Sequence, residues 1–300
     1  PNGAVQHVYS IAGLVDGLKF NPVTGMVWAL QNNDGNSTLS IINPATQTVS
    51  GPLMYASPSS SRGFDDVAFL NGKVYMSYSN PVNPTDPVVV MLNQGNTPSG
   101  TLTTTPILTA QQTNPAFTSS TQNPPDTDSL KSTPGGQLVL TSEGDGLGTA
   151  FNSSDGRYTL ISPGTTPTFT NLRITNSAMV NANKMDDVVF PGATSGTLYV
   201  SDTNNNTVYA IQLTGLDPNT PIATLGSFNE VALVDPVTGV AGTPLLSGLS
   251  GLHGLDFVPA AASAPEPSTW PMLLLGLAGL AVAGAARRQR GAASCLATAN

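Results

Sequence analysis

The sequence predicts an all-β fold: a β-propeller of five blades, with six as the alternative, followed by a C-terminal transmembrane helix. Three observations predict this. There are 30 Gly and 25 Pro in 300 residues, 39% of residues are hydrophobic, and one short unit recurs five times. A composition so rich in turn residues excludes helical bundles and coiled coils, while the apolar fraction is high enough for a packed core.

The repeated unit begins with Asp or His and continues into an apolar strand. Its copies occupy residues 16–20, 65–69, 128–132, 186–190 and 253–257. Turns and further β-rich runs follow the first four copies, which gives about four short strands in a period of ~50 residues, the pattern of a propeller blade. A β-sandwich is the rival fold, but strand groups that recur as units favour the propeller.

The same pattern assigns particular strands to particular blades. Runs 197–201 and 207–213 follow the fourth unit and are assigned to its blade. The last unit, 253–257, supplies an inner strand only, so it is expected to close the ring with N-terminal outer strands, the first of them at 7–11. The propeller, residues 1–259, is therefore interpreted as N-terminally incomplete.

The C-terminal region carries three features in a fixed order. Pro265, Glu266 and Pro267 come first, an uncharged apolar run at 270–286 follows, and the run ends at a basic cluster made of Arg287, Arg288 and Arg290. Seventeen apolar residues are about the shortest run that spans a membrane, and the Arg cluster is expected on the cytoplasmic side. Residues 260–264 then form a linker and 291–300 an extension.

This tail resembles the PEP-CTERM sorting signal of exported proteins in Gram-negative bacteria. The resemblance implies an exosortase-type membrane protease as a partner, a transient inner-membrane form, and a destination at the cell surface, outer membrane or extracellular matrix. It also implies a link to exopolysaccharide or biofilm. Chains of this family end near the Arg cluster, whereas this one continues to Asn300. The chain shows no signal peptide at Pro1 and is interpreted as a fragment or processed form.

Residues 198–209 resemble one blade of an NHL-type propeller. In that blade an aromatic strand ends in Asp, and an Asn-rich turn leads to the next strand, as it does here. The resemblance concerns the fold and carries no function, because propellers host binding modules and hydrolases alike.

The charge of the chain excludes nucleic acid as a partner. Residues 1–269 carry seven Lys and Arg against 18 Asp and Glu, so the body has nothing with which to neutralise phosphates. A glycan, a matrix polymer or a surface protein remains as the partner, together with the membrane that holds the C-terminal helix before processing.

The first residue of every unit is a candidate site residue. These residues are Asp16, Asp65, Asp128, Asp186 and His253. The innermost strands of a propeller converge on its central channel, so the five side chains are expected to form a ring there. Calcium takes carboxylate oxygens as ligands, which predicts a Ca²⁺ site. The alternative is that each Asp caps its own turn, repeated because the blade is repeated.

The residues favour a binding or structural protein over an enzyme. No catalytic residue is assigned, and His253 is the one candidate base. The alternative function is a calcium-dependent hydrolase that uses the Asp ring and resembles lactonase and esterase propellers. Those propellers present Glu and Asn ligands with a dedicated base, whereas Glu143 and Glu230 of this body stand at no repeat position.

Overall fold

The computed structural model describes residues 7–32, 35–57, 62–115, 117–120, 125–144, 156–176, 178 and 184–260. Its strands form five antiparallel sheets, and the body is a five-bladed β-propeller. The chain divides into a unit of residues 1–259 and a unit of residues 260–300. The predicted membrane helix, 270–286, lies outside the described residues, and within them no helix is long and apolar enough to cross a membrane.

Blades 1 to 3 each take four consecutive strands of the chain. Blade 1 contains β1 (Val15–Asn21), β2 (Met26–Gln31), β3 (Thr38–Asn43) and β4 (Thr48–Met54). Blade 2 contains β5 (Phe64–Leu70), β6 (Lys73–Tyr78), β7 (Pro87–Leu92) and β8 (Thr104–Thr109), followed by the short helix α1 (Ala110–Thr113). Blade 3 contains β9 (Asp126–Ser132), β10 (Leu138–Gly144), β11 (Arg157–Ser162) and β12 (Thr168–Arg173).

The strands of blades 4 and 5 are interleaved in chain order. Blade 4 contains β13 (Val188–Val189), β16 (Ile222–Leu225), β17 (Glu230–Val234) and β18 (Ala241–Ser247). Blade 5 contains β14 (Ser195–Asp202), β15 (Thr207–Thr214) and β19 (Leu252–Pro259). The β14–β15 hairpin follows the first strand of blade 4 in the chain, but it belongs to blade 5, which β19, the last strand of the body, completes.

Local sequence explains the hairpins. Asn71 and Gly72 join β5 to β6, and both have positive φ values, of 51° and 74°. That pair of conformations defines the two-residue turn whose twist matches the flanking strands, and Asn-Gly is its preferred sequence. The strands themselves alternate, as in β14, where Leu198 and Val200 are buried while Tyr199 is exposed.

Four apolar clusters join neighbouring blades. Trp28 and Phe64 belong to the cluster between blades 1 and 2. The others are centred on Leu70 with Leu130 (blades 2 and 3), Tyr158 with Ala223 (blades 3 and 4), and Ile222 with Phe257 (blades 4 and 5). Burial of these faces is the main stabilising term of the body, at roughly 25 cal/mol per Å² of apolar surface.

The assignment of runs 197–201 and 207–213 to the fourth unit's blade is wrong. These runs are β14 and β15, and they pair with β19 instead, with Leu198 opposite Phe257. The physical reason is burial: Leu198 and Val200 find their apolar partners on β19, whereas the fourth unit pairs with β16 through Val188 and Ala223.

The predicted ring closure is also wrong. The last unit joins β14 rather than N-terminal strands, and residues 7–11 form no strand. The N-terminal segment instead runs beside blade 1, where the side chain of Gln31 donates a hydrogen bond to the carbonyl of Ala12.

Candidate functional site

All five predicted site residues line one cavity of about 780 Å³. Four of them stand on or just before an innermost strand: Asp16 on β1, Asp65 on β5, Asp128 on β9 and Asp186 ahead of β13, while His253 stands on β19. The repeat therefore brings one polar side chain per blade to the same end of the channel. Whether they hold Ca²⁺ remains a prediction.

The second position of the first four units is buried. It is occupied in turn by Gly17, Asp66, Ser129 and Asp187, whereas Gly254 of the last unit is exposed. Asp66 and Asp187 are 8% and 6% exposed, so both carboxylates are buried. Gly17 is required for space, because a Cβ there would lie 2.4 Å from the carbonyl oxygen of Asp65.

Lys131 holds the two buried carboxylates together. Its Nζ lies 2.9 Å from Oδ2 of Asp66 and 3.0 Å from Oδ1 of Asp187. The hydroxyl of Ser129 lies 3.1 Å from Asp66 Oδ2 and 2.5 Å from Asp187 Oδ1. This central cluster of Asp66, Ser129, Lys131 and Asp187 pairs charges that would otherwise be costly to bury.

The same carboxylates connect neighbouring blades through the backbone. Asp66 Oδ2 accepts a hydrogen bond from the N–H of Leu130 in blade 3, at 3.0 Å. Asp187 Oδ2 accepts one from the N–H of Leu255 in blade 5, at 2.6 Å. Each carboxylate also accepts from the N–H that follows it, Val67 or Val188. The central cluster thus joins neighbouring blades at the channel and stabilises their arrangement.

The cluster shifts the pKa values of its members. Burial alone would raise the pKa of Asp66, but the charges of Lys131 and Lys19 and the hydrogen bonds of its carboxylate lower it overall. Burial opposes the charge of Lys131, yet Asp187 and Asp66 raise its pKa well above the usual value. The pKa of Lys19 is lowered, first by burial and then by repulsion from Lys131.

These shifts predict how stability depends on pH. The lowered pKa of Asp66 stabilises the fold above its unfolded value of 3.8, and that contribution is lost as the pH falls below it. The raised pKa of Lys131 stabilises the fold at pH values below 10.5, and this contribution is lost as the pH rises above that value. Burial also raises the pKa values of Tyr55 and Tyr158 from 10.0, so their contribution to stability is likewise lost at alkaline pH. Lys19 has the opposite effect on stability. Because its pKa is lowered, the charged form of Lys19 destabilises the folded state at pH values below 10.5.

We therefore expect the free energy of unfolding to be greatest between these limits and to decline on both sides. Urea unfolding at a series of pH values from 3 to 11 measures the profile. A Lys131→Met variant is the control, since it should flatten part of the alkaline decline while leaving the tyrosines in place. If the substitution left the pH profile unchanged, Lys131 would not contribute to the alkaline decline in stability.

His253 and Asp186 form a second polar contact, at the rim of the cavity. Nδ1 of His253 lies 3.2 Å from Oδ1 of Asp186, and the imidazole side chain is 53% exposed. A carboxylate on one ring nitrogen orients the imidazole and leaves Nε2 available to solvent. This arrangement can take a proton from water or bind a polar ligand.

In the described part of the chain, no three His, Cys, Asp or Glu side chains come together in a way that could hold a metal ion.

The faces of blades 1 and 5 that border the cavity carry exposed apolar side chains. Leu18 and Phe20 of β1 are 61% and 58% exposed, and Tyr199 of β14 and Val208 of β15 are 39% and 67% exposed. Phe20, Tyr199 and their neighbours line the same cavity as the Asp ring. Among the described residues, no apolar cluster joins these two blades.

Sequence analysis missed the cations and the aromatic walls. Lys19 and Lys131 occupy the fourth position of their units, a position that the pattern indicates only as part of a strand. The signal for Lys131 was available: paired carboxylates at 65–66 and 186–187 on converging strands need a nearby cation. The exposure of Phe20 and Tyr199 depends on which blades pack together, and no local pattern reveals it.

Fold and tail together define an exported, surface-sorted β-propeller. Residues 263–290 match the PEP-CTERM protein-sorting motif, which confirms the sorting signal predicted there. The motif implies export and sorting to the cell surface in Gram-negative bacteria, and motifs of this kind are recognised by exosortase.

Comparison with known proteins adds two structures of low similarity. A proposed 6-phosphogluconolactonase from Bacteroides fragilis is 11% identical, with a TM-score of 0.34 over 81% of this chain and 86% of that chain. Another, from Bacteroides uniformis, is 14% identical, with a TM-score of 0.33 over 83% and 90%. No curated protein matches the sequence.

Proposed function

We propose that the protein is an exported propeller that binds a glycan of the cell surface or extracellular matrix in its cavity. The observation that carries this proposal is the lining, in which exposed Phe20 and Tyr199 stand beside several carboxylates. Binding sites combine apolar walls with a few polar groups that fix orientation, and this cavity has both.

The chemistry of a sugar fits such a lining. A pyranose ring has an apolar C–H face that packs on an aromatic ring, while its hydroxyl groups donate hydrogen bonds to carboxylates. Exposed aromatic rings carry a cost in water, and covering them with a ligand recovers it. The sorting motif supports the proposal, because a protein sorted to the cell surface would present its cavity to extracellular polymers.

Binding of neutral oligosaccharides to the full chain tests the proposal. We expect measurable affinity by isothermal calorimetry, and at least a tenfold loss in a Phe20→Ala, Tyr199→Ala double variant, which corresponds to about 1.4 kcal/mol. Phe169→Ala is the matched control, since Phe169 is 37% exposed on β12 and does not line the cavity. No binding by the unaltered chain, or equal binding by the double variant, would refute the proposal.

A calcium-dependent hydrolase is the second candidate function, and the contact between His253 and Asp186 favours it. An imidazole oriented by a carboxylate is a common general base, here beside a cavity large enough for a lactone or ester.

Calcium titration tests the cofactor. A ligand that binds only the folded chain adds about 2.7 kcal/mol of stability at 100 times its Kd, which raises the melting temperature visibly. If Ca²⁺ binds the ring, we expect this rise in the unaltered chain and none in an Asp65→Ala, Asp186→Ala variant. No rise in the unaltered chain would leave the four carboxylates as turn caps.

A further inference from the structure

One part of the cavity wall combines an aromatic ring with a carboxylate on adjacent strands. Tyr199 on β14 lies directly opposite Asp256 on β19 in the antiparallel ladder. Side chains opposite each other in such a ladder point to the same face and have Cβ atoms about 5 Å apart. Tyr199 and Asp256 therefore form one surface, and both line the cavity.

Asp256 is available to a ligand. Its side chain is exposed, and within the described residues its carboxylate makes no hydrogen bond or ion pair. Lys19 lies within electrostatic range of Asp256, and also of Asp66 and Asp187. Lys131 forms ion pairs with Asp66 and Asp187 in the central cluster.

The charge of the whole cavity excludes one class of glycan. Its lining includes seven carboxylates and two ammonium groups, the carboxylates being Asp16, Asp65, Asp66, Asp128, Asp186, Asp187 and Asp256. A uronate polymer would bring further carboxylates into this field and be repelled. A sugar with a protonated amino group would instead gain a charge-assisted hydrogen bond.

We propose that the Tyr199–Asp256 pair is a subsite for an amino sugar, so that the cavity prefers polysaccharides with free amino groups. The ring of the sugar packs on Tyr199, its ammonium group pairs with Asp256, and Phe20 on blade 1 contributes a second apolar wall. This inference rests on the proposed glycan-binding function and specifies its ligand class.

The test compares three oligomers of equal length on the full chain by isothermal calorimetry: glucosamine, N-acetylglucosamine and galacturonate. We expect glucosamine to bind about tenfold more tightly than N-acetylglucosamine, and galacturonate to bind most weakly. Asp256→Asn should remove most of the glucosamine preference. Asp217→Asn is the matched control, since Asp217 is exposed and outside the cavity.

Oligolysine of the same charge separates recognition from general attraction. Tyr199→Ala should weaken the binding of glucosamine oligomer and leave that of oligolysine unchanged. Equal binding of the three sugars, preference for galacturonate, or insensitivity to Asp256→Asn would overturn the amino-sugar inference alone. If none of the sugars binds, the proposed function fails and the inference fails with it.

Discussion

Replacement of Lys131 by Met is expected to cost about 3–5 kcal/mol of the free energy of unfolding. The ammonium group pairs with both Asp66 and Asp187, and its removal leaves two carboxylates that are 12% and 9% exposed without their cation. These carboxylates also accept backbone hydrogen bonds that connect blades 2 to 3 and 4 to 5, so they have no alternative position in solvent. Repulsion between them would act at the centre of the propeller.

Urea unfolding monitored by circular dichroism measures this loss. Lys73→Met is the matched control, because Lys73 is an exposed lysine at the start of β6, where substitutions usually cost less than about 0.5 kcal/mol. Adding Asp66→Asn and Asp187→Asn to Lys131→Met removes the unpaired charges and keeps an acceptor oxygen at each position. We expect this triple variant to recover part of the loss. A loss of less than about 1 kcal/mol in the free energy of unfolding of Lys131→Met would show that the central cluster does not stabilise the propeller.

The common location of the unit-leading residues could be predicted because the repeated unit is a local pattern. A short strand that begins in the same way in every blade must place its first residue at an equivalent point, so Asp16, Asp65 and Asp128 reach one cavity. The chemistry of the second and fourth positions depends instead on which strands face each other across the channel. Lys131 acquires its role only because β5 and the residues before β13 approach β9.

The fold was predictable to the level of blade number and not of blade composition. Apolar alternation and turn residues indicate where strands lie, and five units correspond to five blades. The partner of a strand is decided by burial over long distances in sequence. The hairpin at 195–214 pairs with β19, which begins 38 residues later, at Leu252. Chain order favours the nearer strand, and the apolar face of β14 prefers the more distant one.

The exchange of strands between blades 4 and 5 makes a sharp prediction about two adjacent residues. Phe257 is 7% exposed and packs in the cluster between these blades, whereas Val258 is 49% exposed on the opposite face. We expect Phe257→Ala to cost about 3–5 kcal/mol, since it removes a large buried side chain. Val258→Ala, the control on the same strand, should cost less than about 1 kcal/mol.

A double-mutant cycle between Phe257 and Leu198 then tests the pairing itself. The two residues lie opposite each other on β19 and β14, so Phe257→Ala and Leu198→Ala should show a coupling of at least about 0.5 kcal/mol. If the last strand joined N-terminal strands, as ring closure predicts from the sequence, Phe257 would be equally costly to truncate but uncoupled from Leu198. The cost of Phe257→Ala therefore establishes that the strand is buried, and the coupling alone establishes which blade it completes.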